Sequence, residues 1–483
     1  MNDVRKSCID GKQSPSMLIL KTKELGVQKG KCDLKIIGLA VLAFAAQAVW
    51  AGAESEVTIG PLGDGVASVT PALQQAIDKV SASGGGKVIV PPGTYETDGI
   101  WLRDNVTLRL EKGVMLLGPT NQLARVGERG VIGAANAKNV ALEGEGVVDG
   151  RGWAFPRKDN AGGRWKLVLF ENCTNVRVEG VTLKDSGLWT CHFSRCRGVV
   201  VRRVNIFSHC NFNNDGIDID AKDVLVEDCN IDCEDDAICP KSDFRDFVPE
   251  NIEVRNCRLA SNCNFIKFGT ASFGGFRNCR VHHCTLVRSS AKGLHGWNGR
   301  VAGVTEDKTG ISGIALEIVD GGRMENIHVH DIVMEDGVQT PIFIRLGRRN
   351  RVKGVKSCLK DILIENVVVK KTVSHIASSI TGVPGLRPAN ITLRNIDMTV
   401  KGGCRLAAVR KPVPECARGY PENRMFNWHA LPAYGFYVRH ADGVRFENVK
   451  TRFADEREER PAVVQDDSTG VTFENCEFAK SAL

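Results

Sequence analysis

Helical periodicity is scarce in this sequence of 483 residues. One stretch repeats apolar residues at three- and four-residue steps: Val69, Leu73, Ala76, Ile77 and Val80, with Ser68 or Thr70 as N-cap and Gly84-Gly85-Gly86 as the stop. Without helices between strands, a βαβ array and a helix-backed leucine-rich horseshoe are excluded. Zinc-type spacing is lacking as well, since no CxxC pair is followed by another among the 17 Cys. Two-residue hairpin signals are few, which disfavours a β-sandwich. Excess charge is also small. The formal net charge is +7, of which residues 1–53 carry eight Lys+Arg and four Asp+Glu; 7 − 4 leaves +3 for the remainder. That balance offers little to nucleic acid.

Long apolar runs are limited to Ile36–Trp50, which follows Lys29, Lys31 and Lys35 and ends at Ala51-Gly52-Ala53. The run is shorter than the ~20 residues of a membrane span. Its charged approach and small-residue exit predict a secretory signal over 1–53, with Met17 as an alternative start. A mature domain over 54–483, secreted or periplasmic, monomeric and with no stable membrane partner, is the expectation.

What the sequence has in abundance is short alternating strands. Val176–Leu183, Val199–Ile206, Val224–Ile231 and Ile252–Leu259 alternate apolar and polar residues and then meet Asn, Asp or Gly. Ile327–Val333, Ile362–Val369, Ile391–Met398, Val444–Val449 and Val471–Phe478 do the same. Period two means a strand with one buried face, and recurrence every ~20–30 residues means a solenoid. The fold predicted is all-β, a single-stranded right-handed parallel β-helix capped by a helix at about 69–82 that covers the open apolar end. Cysteines recur beside Asn at Cys173, Cys257, Cys263, Cys279 and Cys476, as stacked small hydrophobes would. Cys404 and Cys416 are placed to close one exposed loop by a disulfide.

Against this background two acidic clusters stand out: Asn213-Asn214-Asp215-Gly216-Ile217-Asp218 and Glu234-Asp235-Asp236. Asp215 and Asp235 are about one coil apart, so they can occupy matching positions on one face. Paired carboxylates suit glycoside hydrolysis by inversion, with one acid on the leaving oxygen and one base on water, about 6.5–9.5 Å apart. Crowding should raise one pKa and keep an acid protonated. Turn-forming Asp and a calcium site are the other readings of such a cluster.

Here the chain resembles glycoside hydrolase family 28, the polygalacturonase family of pectinases. The likeness rests on Gly63-Asp64-Gly65, Gln74-Gln75-Ala76-Ile77, Gly84–Tyr95, Gly144–Gly152, Asn214-Asp215-Gly216-Ile217-Asp218 and Asp235-Asp236-Ala237-Ile238 with Lys241-Ser242. The resemblance implies Asp235 as general acid, Asp215 and Asp236 on the water, inversion, and no metal or cofactor. Asn214 and Lys241 would then contact sugar. Two family motifs differ. Gly-His-Gly is met by Cys263-Asn264-Phe265, so Asn264 stands where a His assists the acid. Arg-Ile-Lys is met by Gly313-Ile314-Ala315-Leu316-Glu317, which puts Glu317 where a uronate carboxylate should bind, and like charges repel there. Lys267, Arg345, Arg348 and Arg349 are the replacement cations, Arg being suited to bidentate carboxylate recognition; a neutral sugar and a site without catalysis are the other accounts. A non-catalytic carbohydrate-binding β-helix and a calcium-dependent pectate lyase are the alternatives in function.

Three further groups carry expectations. His295-Gly296-Trp297 lies in a Gly-rich interruption beside the cleft, where Trp297 would either stack on sugar or pack. Tyr434 and Arg439 follow a long irregular stretch from Gly402 and are candidate substrate contacts. His282-His283 and His328 with His330 have the spacing of metal pairs but no accompanying carboxylate or Cys motif, so they read as surface histidines. The polysaccharide or oligosaccharide is the one partner implied.

Overall fold

The computed structural model describes residues 55–60, 68–120, 130–157, 163–296, 298–349, 351 and 356–482. The leader at 1–53, the Gly63-Asp64-Gly65 motif and Trp297 lie outside the described residues.

Every paired strand runs parallel to its neighbour, and the strands join one continuous sheet wound into a right-handed parallel β-helix. One face stacks Val224 on Ile252, Val254 on Val281, Val281 on Val329, Val329 on Ile364 and Ile364 on Leu393. Another stacks Cys191 on Ile217, Ile217 on Ile238, Ile238 on Ile266 and Ile266 on Ile314. These inward residues are fully buried and form one core along the solenoid. Alternation makes this inevitable: a strand with one apolar face buries it only against the coils above and below.

Asn and Asp hold the corners. Asp228, Asn256, Asp331, Asn366, Asn395 and Asn448 have φ near +55°, the left-handed region in which Asn and Asp are enriched. Asn366 Nδ2 donates to Asp331 Oδ1 (3.0 Å), Asn395 to Asn366 (2.9 Å) and Asn448 to Asn395 (2.9 Å). These corners split some of the sequence-predicted strands in two, as at Asn230–Cys233 after Ile217–Glu227, while Ile362–Val369 and Ile391–Met398 run through as parts of single strands.

The cap is a helix, Thr70–Ala82, burying Leu73, Ala76, Ile77 and Val80. Its N-cap is Val69, not Ser68 or Thr70; no side chain caps it, and the turn is set instead by Pro71 in the first turn. All fifteen cysteines from Cys173 onward are free thiols. The expected Cys404–Cys416 bridge does not form: Cys404 packs with Val409 and Ala430, while Cys416 packs against a separate cluster around Phe426 and Leu431.

Two coils are much longer than the rest. Val254 pairs with Val281, but Val281 pairs with Val329 and Leu393 with Phe446. The extra length is the segment after Val287 and the loop after Gly402, and both reach the site.

Candidate active site

Gly216 fixes the geometry of the first acidic cluster. A Cβ there would sit 2.4 Å from the Ala237 carbonyl oxygen and 2.7 Å from Ile231 Cγ2, so only glycine lets the two coils close. Ile217 then pairs with Ile238, and the Gly216 N–H donates to the Asp236 carbonyl (2.8 Å). The register therefore stacks Asp215 on Asp236 rather than on Asp235, a one-residue difference from the sequence expectation. Asn264 follows in the same column, since Ile238 pairs with Ile266.

The three aspartates converge at 3–8% exposure. Carboxylate oxygens of Asp215 and Asp236 lie within 4.8 Å of one another, as do those of Asp235 and Asp236. That is tighter than the separation expected of a generic inverting pair. Cys239 and Cys263 sit within the same radius, so either grouping has metal-binding donors. Lysines already neutralise both. Lys241 Nζ lies 3.1 Å from Asp215 and 3.0 Å from Asp218, and Lys267 Nζ lies 3.1 Å from Asp236.

Charge distribution among the carboxyls is uneven. Burial, then the charge of Asp218, raises Asp215 well above the usual carboxylate range, with Lys241 pulling the other way. Burial lifts Asp218 to about 6 against the opposing pull of Lys241. Burial pushes Asp235 up too, but His295 and the Lys267 charge outweigh it and hold Asp235 well below the usual range. Burial and neighbouring charges thus raise Asp215 and lower Asp235, the reverse of the order expected with Asp235 as the acid. His295 Nε2 lies 3.6 Å from Asp235 Oδ2, and Phe212 packs against the His295 ring at 4.6 Å. Asn264 instead donates to Asp236 Oδ1 (2.7 Å) and to Glu422 Oε1 (3.0 Å). The long coil after Val287 thus places a histidine beside Asp235, while position 264 holds an asparagine that bonds Asp236.

The loop after Gly402 completes the site. Lys267 Nζ donates to Glu422 Oε1 (2.7 Å) and to the Tyr420 hydroxyl (3.4 Å). Thr270 Oγ1 bonds Tyr420 (3.0 Å) and donates to Glu317 Oε2 (3.0 Å). Burial raises Glu317 to about 8, with Lys267 opposing and Glu422 reinforcing. It is therefore neutral at pH 7, and the repulsion expected at this position is absent. Tyr420 is 40% exposed although its hydroxyl is enclosed, so the ring presents a face. Lys267, Arg349 and Arg424 surround that ring at 5.2–5.6 Å from its centroid. On the Asp215 side, Lys166 and Lys241 lie over Trp189 at 4.5 and 4.6 Å, and Lys166 contacts His192 (2.8 Å).

Four predicted contacts have other work. Asn214 is fully buried; its Nδ2 donates to the carbonyls of Ser186 (2.7 Å) and Leu188 (2.9 Å), so it shapes the turn that carries Asp215. Arg345 donates to the carbonyls of Gly382 (2.7 Å) and Glu415 (2.8 Å), and Arg439 to that of Val413 (2.9 Å). Both arginines clamp the loop rather than face a ligand. Tyr434 packs against Phe453 and bonds Thr451 (3.0 Å) and the Ala479 carbonyl (2.7 Å). Lys241, Asn264, Lys267 and Glu317 do belong to the cluster, as partners of its carboxylates and of Thr270. The sequence placed His295 in a loop beside the cleft without giving it a role; it missed Tyr420, Glu422, Lys166 and Trp189. The length of the loop after Gly402 was the signal for the first two.

Comparison with known proteins gives a consistent picture. The family model for glycosyl hydrolases family 28 matches residues 85–416. A probable polygalacturonase of Vitis vinifera is 25% identical over 314 residues, 58% of this chain and 64% of that one. The chain covers less than two thirds of the length of such curated relatives. An exopolygalacturonase from Thermotoga maritima superposes with a TM-score of 0.59 at 24% identity, over 72% of this chain and 87% of the other. A family 28 exopolygalacturonase of Yersinia enterocolitica gives 0.61 at 15%, over 89% and 79%. At these identities the two superpositions speak for the fold.

Proposed function

Because the chain belongs to family 28 of the glycosyl hydrolases, we propose that it is a glycosidase that hydrolyses O-glycosidic bonds of a pectic polysaccharide or its oligosaccharides, with galacturonate as the sugar recognised. The convergence of Asp215, Asp235 and Asp236 within one small volume carries this reading. Asp235 is the acid on the leaving oxygen, and Asp215 and Asp236 hold and deprotonate the water, with inversion at the anomeric carbon. His295 stands beside Asp235 as the group that exchanges its proton. With Asp215 raised and Asp235 lowered, sugar binding must favour protonation of Asp235 before bond cleavage.

Galacturonate is favoured over a neutral sugar by two features. Glu317 carries no charge at neutral pH, and the Tyr420 ring is ringed by Lys267, Arg349 and Arg424. An aromatic face with surrounding cations suits a sugar ring bearing a carboxylate. Export by the segment at 1–53 belongs to the same proposal, since a pectic polymer lies outside the cell; amino-terminal sequencing of the exported chain tests it.

The decisive experiment measures reducing-sugar release from polygalacturonan and from rhamnogalacturonan, with the product anomer followed by NMR. Release from polygalacturonan with inversion, lost in Asp235→Asn while binding persists, is the expected result. Equal release by wild type and Asp235→Asn would remove Asp235 from its role. Binding without release by the wild type would leave a carbohydrate-binding β-helix. Chelator-sensitive formation of an ultraviolet-absorbing unsaturated product would indicate a lyase.

A further inference from the structure

The histidines set aside in the sequence meet in space, on a face that carries none of the catalytic column. His282 pairs in register with His330, and their rings stack at 4.7 Å and 6°. His283 joins them: one ring nitrogen from each of His282, His283 and His330 lies within 4.8 Å of the other two. Carboxylates surround the group. His282 Nε2 faces Glu253 Oε1 (3.2 Å); Asp331 Oδ2 lies 2.7 Å from His330 Nδ1 and 3.7 Å from His283 Nε2. Glu365 binds His328, whose ring lies 4.3 Å from that of His330, and Arg280 is the neighbouring cation.

We propose that this cluster is a site for one divalent metal ion of the imidazole-preferring kind, held by His282, His283 and His330 with Asp331 as the adjoining carboxylate. Hydrogen-bond logic assigns the donor atoms. A carboxylate can only accept, so His282 Nε2–H donates to Glu253 and Nδ1 keeps its lone pair. His282 Nδ1 and His283 Nδ1 are 2.7 Å apart, so His283 now donates to His282. An ion replaces that proton, which moves to His283 Nε2, the nitrogen facing Asp331. Two nitrogens on one tetrahedral zinc stand about 3.3 Å apart for bonds of ~2.0 Å. A small ring rotation is enough, and the His283 side chain is 57% exposed, which leaves the ion a way in.

The position of His283 is itself telling. With φ +53° it occupies the corner column in which Asn256, Asp331, Asn366 and Asn395 stand on other coils. A histidine has replaced the ladder residue beside a stacked pair of histidines. The ion would staple the coil at Gly275–Val287 to the coil at Arg323–Met334.

The test is equilibrium dialysis of the full chain against zinc chloride, with bound metal quantified, and thermal melts with and without zinc. His283→Asn restores the residue type of the column and keeps the corner, and His330→Asn is the second variant. One zinc per wild-type chain, at least tenfold weaker binding in both variants and a zinc-dependent rise in melting temperature confined to wild type are expected, with the metal-free melts unchanged. No bound zinc, or variants that bind as tightly as wild type, would overturn the proposal.

Discussion

Replacing Lys267 by Met probes the electrostatics of the site most directly. The ammonium is 2% exposed and lies 3.1 Å from Asp236 and 2.7 Å from Glu422. Met fills most of the volume but leaves two carboxylates facing each other without a cation. Removing one partner of such a buried arrangement costs about 3–5 kcal/mol. The compact unit Ala51–Leu483 has an unfolding entropy of about 0.9 kcal/mol/K at ~2.1 cal/mol/K per residue, so the melting temperature should fall by about 3–6 °C. The sign with pH follows from linkage. Without the lysine, two buried carboxylates repel each other, and taking up a proton relieves that repulsion. Raised acids contribute stability below the unfolded pKa and lose it as pH rises through the folded one. The deficit should therefore be large at pH 8 and small at pH 4.5, and Glu422→Gln in the Lys267→Met background should recover much of it. Melts of the three proteins across this range are the assay. A deficit equal at both pH values would assign the loss to packing and refute the electrostatic account.

Other outcomes follow from the same geometry. Glu317 has its pKa raised to about 8, so its contribution is present near pH 4.5 and lost as pH rises toward 8; Glu317→Gln should flatten the stability profile over that window, and parallel profiles would contradict the burial of the charge. Tyr420→Ala should raise KM about tenfold by loss of a stacking face worth ~1.4 kcal/mol, Tyr420→Phe much less, and Tyr434→Phe not at all, as steady-state kinetics on polygalacturonan will show. His295→Asn removes the contact that holds Asp235 low. The acidic limb of the pH–rate profile should then move to higher pH with kcat reduced, and an unmoved limb would exclude His295 from the proton path.

Much of this was legible in the sequence, because the same feature that patterns the residues also builds the coil. Val224, Ile252 and Val281 announce their stacking by alternation, and Asp228, Asn256 and Asn366 announce corners. The aspartates stood out because apolar strands rarely tolerate them. The one-residue register of Asp215 on Asp236 was hidden, since coil length varies and only Gly216 against Ala237 fixes it. Partner choice was hidden too. Arg345 and Arg439 look like free cations in sequence, yet the carbonyls they hold belong to a loop whose path no periodicity encodes. Tyr420 and Glu422 lie on that same path.

The separation between Asn264 and Glu422 is 158 residues along the chain. At ~5–20 residues per second of synthesis, roughly 8–30 seconds pass between the making of the aspartate cleft and the arrival of Glu422 and Tyr420. Each coil of a solenoid is held mainly by its neighbours, and until the loop is made Lys267 has Asp236 but not Glu422 available as a carboxylate partner. The loop that Arg345 and Arg439 pin down is thus the last part of the site to be synthesised: the chain makes its three aspartates first and the residues that enclose them last.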